Sequence, residues 1–390
     1  MGRKKTNVFL TGATGVMGSA GLKELMKYPE LYNVKVLARD SKANRRKLKG
    51  YEGQNVEIIW GDLLDEQSLR KGIEDADVVL HVGGMVSPKA DLYPEQTLKV
   101  NVGSIEKIAR LAKEFENKQS GREIKVVYIG SVSQYGTKLP PDHWGSVESE
   151  QRPAESDVYA ESKVKGEEIL RKAGLRKWVS IRQTAILHSG LLKNALNPVA
   201  LHMPLLGVLE WITTEDSGRL LERVCRPELP DSFWCKAYNA GGGEPFRLVN
   251  IDFVRGILKA LGCPPPEKIF EPNWFATHNF HGMWFTDSDQ LEEILHFRGK
   301  DTYQGALERL KKGLPFYFRL SPLAPPFLIK MIMKRVAHHP ELGTLSWIEK
   351  NDEEKINRFW GSRENYESIK GWSEFEEIRL EKGVEKAKND

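Results

Sequence analysis

The sequence predicts an α/β protein with a doubly wound parallel sheet and a smaller, mostly helical C-terminal lobe. The first observation behind this prediction is an apolar, β-branched run that enters three glycines spaced three apart and then an amphipathic segment, over residues 5–27. The second is the alternation that follows, in which short apolar runs are separated by segments of helical periodicity. Such alternation favours right-handed crossovers and parallel strand pairing.

Six strands are expected before residue 185, and a seventh returns to the sheet later. The expected strands are 5–10, 33–38, 56–60, 77–81, 123–129, 178–182 and 237–240. The clearest helices are expected at 16–27, 94–117, 158–170, 250–261, 288–295 and 303–312. Residues 186–230 leave the sheet between the last two strands, so they are expected to build part of the lobe.

The glycine turn after the first strand is the first candidate binding site. Backbone N–H groups at a helix N-terminus, together with the helix dipole, favour a pyrophosphate. The spacing here is G-x-x-G-x-x-G, which departs from the usual dinucleotide fingerprint, so a turn without a ligand is the alternative. We expect a dinucleotide to be bound by the residues of this turn: Thr11, Gly12, Thr14, Gly15, Val16, Met17 and Gly18.

The end of the second strand predicts which dinucleotide is used. In a dinucleotide fold this strand end faces the adenosine ribose, where an acidic residue binds a 2′-hydroxyl and a cation binds a 2′-phosphate. Arg39 stands there, with Lys42 and Arg45 nearby. This pattern favours NADP, whereas Asp40 keeps NAD as the alternative.

Two further strand ends contribute to the predicted cofactor site. Asp62, after the third strand, can accept a hydrogen bond from the adenine amino group. Gly83 and Gly84 follow the fourth strand and would let the backbone pass close to a ribose.

Proton transfer is predicted at the end of the fifth strand and on the helix that follows it. Tyr159 and Lys163 are four residues apart and therefore share one helix face. A phenol with a pKa near 10 is a poor base at neutral pH, and a neighbouring ammonium group would lower that pKa. Ser131 supplies a hydroxyl that could hold a substrate oxygen beside the phenol.

These motifs together resemble the extended short-chain dehydrogenase/reductases, which include NAD-dependent epimerases, dehydratases and hydroxysteroid-type dehydrogenases. The resemblance covers roughly residues 5–312, and it implies a Rossmann fold. It rests on the glycine turn, the Gly-Asp-Leu run at 61–63, Ser131 and the Tyr159-x-x-x-Lys163 spacing.

The resemblance also implies roles for individual residues. Tyr159 would be the acid/base, Lys163 would lower its pKa and hold the nicotinamide ribose, and Ser131 would bind the substrate oxygen. Asp62 and Leu63 match the family's adenine contact. Asn101 matches an asparagine on the fourth helix, and the family often dimerises through its fourth and fifth helices.

The sequence departs from the sugar-nucleotide branches of the family in two places. Dehydratases carry an Asp-Glu pair where this chain has Val132 and Ser133. Epimerases usually have Arg-Pro after the sixth strand, where this chain has Arg182 and Gln183. We therefore expect an oxidoreductase that interconverts a ketone and a secondary alcohol of a moderately apolar small molecule. The alternatives are an epimerase of the sugar or sugar-nucleotide class on a retained NAD, and a cofactor-binding regulatory protein without turnover.

The predicted division of the chain follows from these assignments. Residues 1–185 form the dinucleotide-binding Rossmann domain, with a returning strand near 236–262, and 186–235 with 263–313 form the substrate lobe. Residues 314–390 form an extension that we expect to pack on the lobe. For its apolar, proline-broken start at 314–333, a partner contact or contact with a membrane surface is the alternative.

Composition excludes several other classes of protein. A net charge of +4 over 390 residues gives no case for nucleic-acid binding. Cys225, Cys235 and Cys263 lack zinc-finger spacing and cannot all pair, which favours a reducing compartment. His278 and His281 lack a third ligand at suitable spacing, so no metal is expected. No signal peptide or apolar run of membrane-spanning length is found, so we expect a cytoplasmic protein.

Overall fold

The computed structural model of the chain describes residues 4–87, 89–193, 196–314 and 324–382. Its strands, in chain order, are β1 (Thr6–Thr11), β2 (Tyr32–Ala38), β3 (Val56–Trp60), β4 (Val78–His81), β5 (Lys125–Ser131), β6 (Trp144–Gly145), β7 (Lys177–Gln183), β8 (Ile186–Leu187), β9 (Val208–Glu210), β10 (Ile212–Thr213), β11 (Lys236–Ala240), β12 (Arg247–Val249) and β13 (Trp284–Phe285). Seven of them form one parallel sheet in the order β11-β7-β5-β4-β1-β2-β3. The doubly wound sheet predicted from the sequence is confirmed.

The helices of the structure include the six whose bounds were predicted. They are α1 (Val16–Leu25), α2 (Lys42–Leu48), α3 (Glu66–Ile73), α4 (Lys89–Leu92), α5 (Pro94–Lys118), α6 (Val158–Lys172), α7 (Ser189–Lys193), α8 (Thr214–Arg223), α9 (Asn250–Leu261), α10 (Ser288–Leu295), α11 (Tyr303–Lys312), α12 (Pro326–Ala337), α13 (Thr344–Glu349), α14 (Glu353–Trp360), α15 (Arg363–Glu367) and α16 (Trp372–Glu381). Short 3₁₀ turns connect several of them.

Two hydrophobic layers cover the two faces of the sheet. On one face, α1 and α8 bury Leu22, Leu25, Leu220 and Leu221 against the strands. On the other face, α3, α5 and α6 pack over a layer that includes Phe9. The strand order reverses between β1 and β4, and in open α/β sheets ligands bind outside the carboxyl ends of strands at such a point.

Helix α8 belongs to the layer over the sheet, although its residues lie in the range that we assigned to the lobe. A side chain at Gly218 would place its Cβ 2.8 Å from the carbonyl oxygen of Ala20, so the two helices touch backbone to backbone. The Tyr32 hydroxyl donates to a carboxylate oxygen of Glu222 at 2.8 Å and ties the end of α8 to β2.

The lobe is built from short strand pairs and the helices α9 and α11. β8 pairs with β10 and β6 with β13 in parallel, and β9 pairs with β12 in antiparallel fashion. A separate hydrophobic cluster forms its core, in which the Trp211 and Phe253 rings stack with centroids 4.1 Å apart.

The described part of the C-terminal extension lies against the segment around residues 270–276. The Trp360 indole donates to the Phe275 carbonyl at 3.0 Å, and the Trp372 indole donates to the Phe270 carbonyl at 2.9 Å. Residues 315–323 and 383–390 of the predicted extension lie outside the described residues. Among the described helices, none is long and apolar enough to cross a membrane.

Candidate active site

The glycine turn between β1 and α1 has the geometry of an anion cradle. Gly12 has a φ of +75°, and a Cβ there would lie 2.7 Å from the backbone of Gly83 on the neighbouring strand end. A Cβ at Gly18 would lie 2.2 Å from the Gly12 carbonyl oxygen. Gly15 caps α1 without a side chain that could bond the first N–H groups of the helix. The turn therefore leaves exposed backbone donors at a helix N-terminus, which fits a pyrophosphate.

The buried His81, which was not predicted from the sequence, supports this turn through Thr11. The Gly83 N–H donates to Thr11 Oγ1 at 3.0 Å, and Thr11 Oγ1 lies 2.9 Å from His81 Nδ1. His81 Nε2 lies 3.1 Å from Ser104 Oγ on α5. Burial, together with the nearby Lys163 charge, lowers the pKa of His81 to about 3, so this imidazole is neutral. The Thr11 hydroxyl, which belongs to a residue predicted to bind the cofactor, thus links the ends of β1 and β4.

Asn101, also a predicted cofactor residue, joins the loop after β4 to the helix that carries Tyr159. Its amide oxygen accepts from the Met85 N–H at 2.7 Å, and its NH₂ group donates to the Met85 carbonyl at 3.0 Å. The same NH₂ group donates to Ser162 Oγ at 2.9 Å. Asn101 therefore fixes the spacing between two walls of the site.

Ser131 and Tyr159 lie side by side at the end of β5. Burial raises the pKa of Tyr159 to about 12, and the polar interaction with the Ser131 side chain opposes that rise. Ser131 Oγ also accepts from the Ser133 N–H at 3.2 Å and from the Ser133 hydroxyl at 2.9 Å. These two bonds from Ser133 hold the Ser131 hydroxyl in place at the end of β5.

Lys163 lies on the same face of α6 as Tyr159, but its ammonium group bonds a backbone carbonyl and not the phenol. Its ammonium donates to the Ile129 carbonyl at 2.8 Å and lies 5.7 Å from the centre of the Tyr159 ring. Burial lowers the pKa of Lys163 to about 8. The sequence argument expects a phenol pKa lowered by Lys163, whereas in this structure burial keeps the phenol pKa high.

A buried polar network holds the turn that carries Ser131. Gln134 accepts from the Ser131 N–H at 2.7 Å and donates to Glu167 at 3.2 Å. Arg182 makes a buried ion pair with Glu167, with 2.7 Å between the nearest nitrogen and oxygen. Burial would raise the pKa of Glu167, but the hydrogen bonds and charge of Arg182 outweigh it and bring that pKa to about 2.

The two positions after Ser131 hold no acid. Val132 is buried in the core of the lobe, and Ser133 is fully buried with its hydroxyl directed at Ser131. Side chains capable of acid catalysis are therefore absent from the positions where dehydratases of the resembled family carry them.

Gln183 was not expected to belong to the site, yet it lies beside Ser131 in the register of β5 and β7. Its amide oxygen and the Thr184 hydroxyl are buried and have no hydrogen-bond partner among the described residues. A polar run at the end of a buried strand is the only sequence signal that could have identified them.

The end of β2 presents the predicted basic group. Arg45 binds both carboxylate oxygens of Asp40, at 2.6 and 2.7 Å, and stacks on Trp60 with 4.7 Å to the ring centre. The hydrogen bond from Arg45 lowers the pKa of Asp40. Arg39 and Lys42 are exposed beside this pair. The one acidic group at this strand end is thus already neutralised.

The predicted adenine contacts lie at the neighbouring strand end. Asp62 accepts from the Leu64 N–H at 3.0 Å, which shapes the loop after β3. The Leu63 side chain lies 3.2 Å from where a Cβ on Gly83 would be, so it lines the same crevice.

The lobe brings a histidine to the start of α6. His281 Nδ1 lies 3.8 Å from a carboxylate oxygen of Asp157, the residue that caps α6 through the Ala160 N–H. Burial lowers the pKa of His281, and the Asp157 charge opposes that change. Among the described residues, no group of three or more His, Cys, Asp or Glu side chains could hold a metal ion.

The first part of the chain is similar to a known protein family. Residues 8–182 match the family described as the NAD dependent epimerase/dehydratase family. Over these residues the chain is similar to that family.

One named relative is similar to part of the chain. D-erythronate dehydrogenase from Cupriavidus necator is 26% identical over 139 residues, which are 35% of this chain and 41% of that protein. The alignment thus spans less than half of that relative's length.

Two solved structures share the fold over most of the chain. The dTDP-glucose 4,6-dehydratase of Bacillus anthracis, in complex with NAD, has a TM-score of 0.63 and 18% identity, covering 79% of this chain and 96% of that one. The UDP-glucuronic acid 4-epimerase of Bacillus cereus, in complex with UDP-glucuronic acid and NAD, has a TM-score of 0.62 and 17% identity, covering 79% and 98%. At these identities the likeness establishes the fold.

Proposed function

We propose that this protein is an NAD(P)-dependent oxidoreductase that interconverts a ketone and a secondary alcohol through Ser131, Tyr159 and Lys163. The observation that carries the proposal is that Tyr159 and Lys163 share one face of α6 beside the end of β5, with the Lys163 ammonium 5.7 Å from the centre of the phenol ring. One hydroxyl can hold a substrate oxygen while the other exchanges a proton with it.

A nicotinamide dinucleotide bound at the glycine turn would supply the hydride chemistry. The first backbone N–H groups of α1, at Val16 and Met17, would hold its pyrophosphate, and Asp62 and Leu63 would line its adenine side. The unpartnered polar atoms of Gln183 and Thr184, beside Ser131, fit the carboxamide of a nicotinamide.

Each of the three side chains then has its own role in proton transfer. In reduction, Tyr159 is protonated at neutral pH and donates its proton to the carbonyl oxygen, while Ser131 holds that oxygen in place. In oxidation the same phenol oxygen accepts the proton of the alcohol. Lys163 provides a positive charge that stabilises the phenolate left after proton donation.

A moderately apolar substrate is supported by the side chains near the strand ends. Val86 lies in the loop after β4, Leu92 is the last residue of α4, and Tyr93 follows it. All three side chains are more than half exposed. In addition, Val132 is apolar at a position where dehydratases of the resembled family carry an acidic residue. These features favour a substrate with a hydrophobic body over a nucleotide sugar.

NADP is the cofactor that we propose, with NAD as the alternative. The pairing of Asp40 with Arg45 removes the free carboxylate that would bind a ribose 2′-hydroxyl, and Arg39 remains exposed for a 2′-phosphate. The neighbouring solved structures named above were determined with NAD, which is why NAD is retained as the alternative.

The second candidate function is epimerisation by transient oxidation on a retained NAD. The fold shared with a UDP-glucuronic acid 4-epimerase favours it. The two candidates are separated by denaturing the purified protein and identifying any released nucleotide by chromatography and mass. Stoichiometric NAD would favour the epimerase, and an empty protein that binds NADPH more tightly than NADH would favour the reductase.

The Tyr159→Phe variant tests the proposed mechanism directly. Loss of general acid/base catalysis should lower turnover by about 10²–10⁴-fold and leave the affinity for the nicotinamide nucleotide unchanged. Tyr28→Phe is the matched control, because it removes a phenol hydroxyl after the C-terminal end of α1, outside the proposed site. Full activity of Tyr159→Phe would refute the assignment.

A further inference from the structure

Helix α12 is apolar on both of its sides, although only one side is covered. Met333 and Ala337 are buried in the lobe, in a cluster that also contains Leu201 and Phe275. The opposite side carries four exposed apolar side chains: Phe327 at 73%, Met331 at 60%, Ile332 at 43% and Leu328 at 36%. In a globular protein a helix that is hydrophobic all round is normally buried on all sides.

The charge around this helix is unusual for the chain. From Arg309 to Pro340 the sequence contains seven Lys or Arg residues and no Asp or Glu. The whole chain has a net charge of +4, so the rest of the molecule has a net charge of −3. The excess positive charge is therefore concentrated in the one segment that contains the exposed apolar helix face.

Some of these cations are free to meet a partner. Arg309 pairs with Asp301, and Lys330 pairs with Glu271. Lys334 and Arg335 are exposed on α12, and neither side chain has an ion-pair or hydrogen-bond partner among the described residues.

The helical spacing places these groups together. At 100° per residue, Phe327, Met331 and Leu328 lie on the arc that also contains Arg335, and Lys334 lies at its edge. The outward side of α12 is thus an apolar strip with cations along it. This is the pattern of a helix that lies in a membrane interface with its apolar side among the acyl chains.

We propose that α12 docks this protein on a membrane surface that carries anionic lipid headgroups. Phe327, Met331 and Ile332 enter the interface, and Lys334 and Arg335 contact the headgroups. At 12 residues the helix is too short to cross the hydrocarbon layer, so the contact is peripheral. The proposal is independent of the reaction proposed above.

Charge decides between this partner and a second copy of the chain. Two copies meeting through α12 would bring Lys334 and Arg335 of each copy together, with no acid on either helix. That contact would be repulsive, whereas an anionic lipid surface attracts each Lys or Arg near it. An apolar strip alone would not distinguish the two partners.

Sedimentation with lipid vesicles tests the proposal on the full-length protein. The vesicles are pure phosphatidylcholine and phosphatidylcholine with about 30 mol % phosphatidylserine. We expect binding to the anionic vesicles only, weakened as the ionic strength is raised from about 0.05 to about 0.5 M.

Three variants separate the contributions. Phe327→Ser with Met331→Ser should abolish binding, because both side chains are exposed and only the interface would use them. Lys334→Gln with Arg335→Gln should weaken binding by about 10- to 30-fold, at the usual strength of attraction per cation. Leu380→Ser, at another exposed apolar position, is the matched control and should bind like the natural protein.

Each alternative outcome contradicts the proposal. Absence of binding to anionic vesicles at low salt would refute it. Unchanged binding by Phe327→Ser with Met331→Ser would mean that the attraction is general and does not involve the apolar strip. A dimer that these two substitutions convert to a monomer, with no vesicle binding, would identify the strip as a contact between copies of the chain.

Discussion

The Lys163 ammonium donates to the carbonyl oxygen of Ile129 at 2.8 Å and does not bond the phenol that it was expected to activate. The helical spacing of Tyr159 and Lys163 brings them to one face of α6. The ammonium group nevertheless donates its hydrogen bond to a backbone carbonyl of β5. Burial lowers the pKa of Lys163 to about 8 and raises that of Tyr159 to about 12. The lysine therefore titrates well before the tyrosine.

This order predicts the pH dependence of the reductive reaction. The kcat/KM for ketone reduction should be flat from neutral pH and fall above about pH 8, because Lys163 loses the charge that stabilises the phenolate. Lys163→Arg should have lower activity but no fall in that range, since a guanidinium stays charged. Lys165→Arg, at an exposed position on the same helix, should keep the natural profile. An unchanged midpoint in Lys163→Arg would assign the fall to another group.

Cofactor preference should depend on Arg39. Arg39→Ala should lower NADPH affinity by about 10- to 100-fold, the usual range for a hydrogen bond to a charged group, and change NADH affinity little. Lys23→Ala, an exposed cation on α1, is the matched control and should affect neither nucleotide. Fluorescence titration with both nucleotides measures the difference. Equal losses for NADPH and NADH would show that Arg39 does not contact a 2′-phosphate.

Much of the fold and part of the candidate site could be predicted because their signals are local in sequence. The alternation of apolar runs and helical segments identified all seven strands of the main sheet. The glycine turn and the Tyr159–Lys163 spacing are likewise short patterns with a direct physical meaning.

The remaining features depend on contacts between distant residues. His81 gains its role only because the ends of β1 and β4 and helix α5 meet around it, 70 and 23 residues away in sequence. Helix α8 could not be placed from its own pattern, since the close approach at Gly218 depends on α1. Strands of two or three residues, such as β8 and β12, carry too little pattern to be identified.

The buried His81 predicts a loss of stability in acid. Its pKa of about 3 in the folded protein lies below the ordinary value of 6.5, so the unfolded chain binds a proton that the folded protein does not. Stability is therefore full above pH 6.5 and is lost as the pH falls from 6.5 towards 3, by up to about 1.4 kcal/mol per pH unit. Urea unfolding at pH 7 and at pH 5 measures this difference.

A variant assigns that pH dependence to one residue. His81→Gln keeps one donor and one acceptor but does not titrate, so its free energy of unfolding should depend less on pH than that of the natural protein. His339→Gln, at an exposed position, should leave the slope unchanged. If the His81→Gln slope equals the natural one, the acid sensitivity has another origin.

The buried ion pair between Asp252 on α9 and Arg379 on α16 should hold the end of the extension in place. Arg379 is fully buried, and one of its nitrogens donates to Asp252 at 3.0 Å. Asp252→Asn should cost about 3–5 kcal/mol, because it leaves a buried guanidinium without its main counter-charge. Asp301→Asn breaks the more exposed pair with Arg309 and should cost less than about 1 kcal/mol.

A double substitution tests whether stability requires the ion pair itself or only the absence of an unpaired buried charge. Asp252→Leu with Arg379→Met removes both charges and keeps apolar volume, so it should regain most of the stability lost in Asp252→Asn. Urea unfolding followed by tryptophan fluorescence measures all three variants, since Trp360 and Trp372 bond the lobe segment beside this pair. A cost for Asp252→Asn as small as that for Asp301→Asn would mean that α16 is held by its apolar contacts alone. Phe375, buried in the lobe cluster, would then be the residue whose truncation releases the helix.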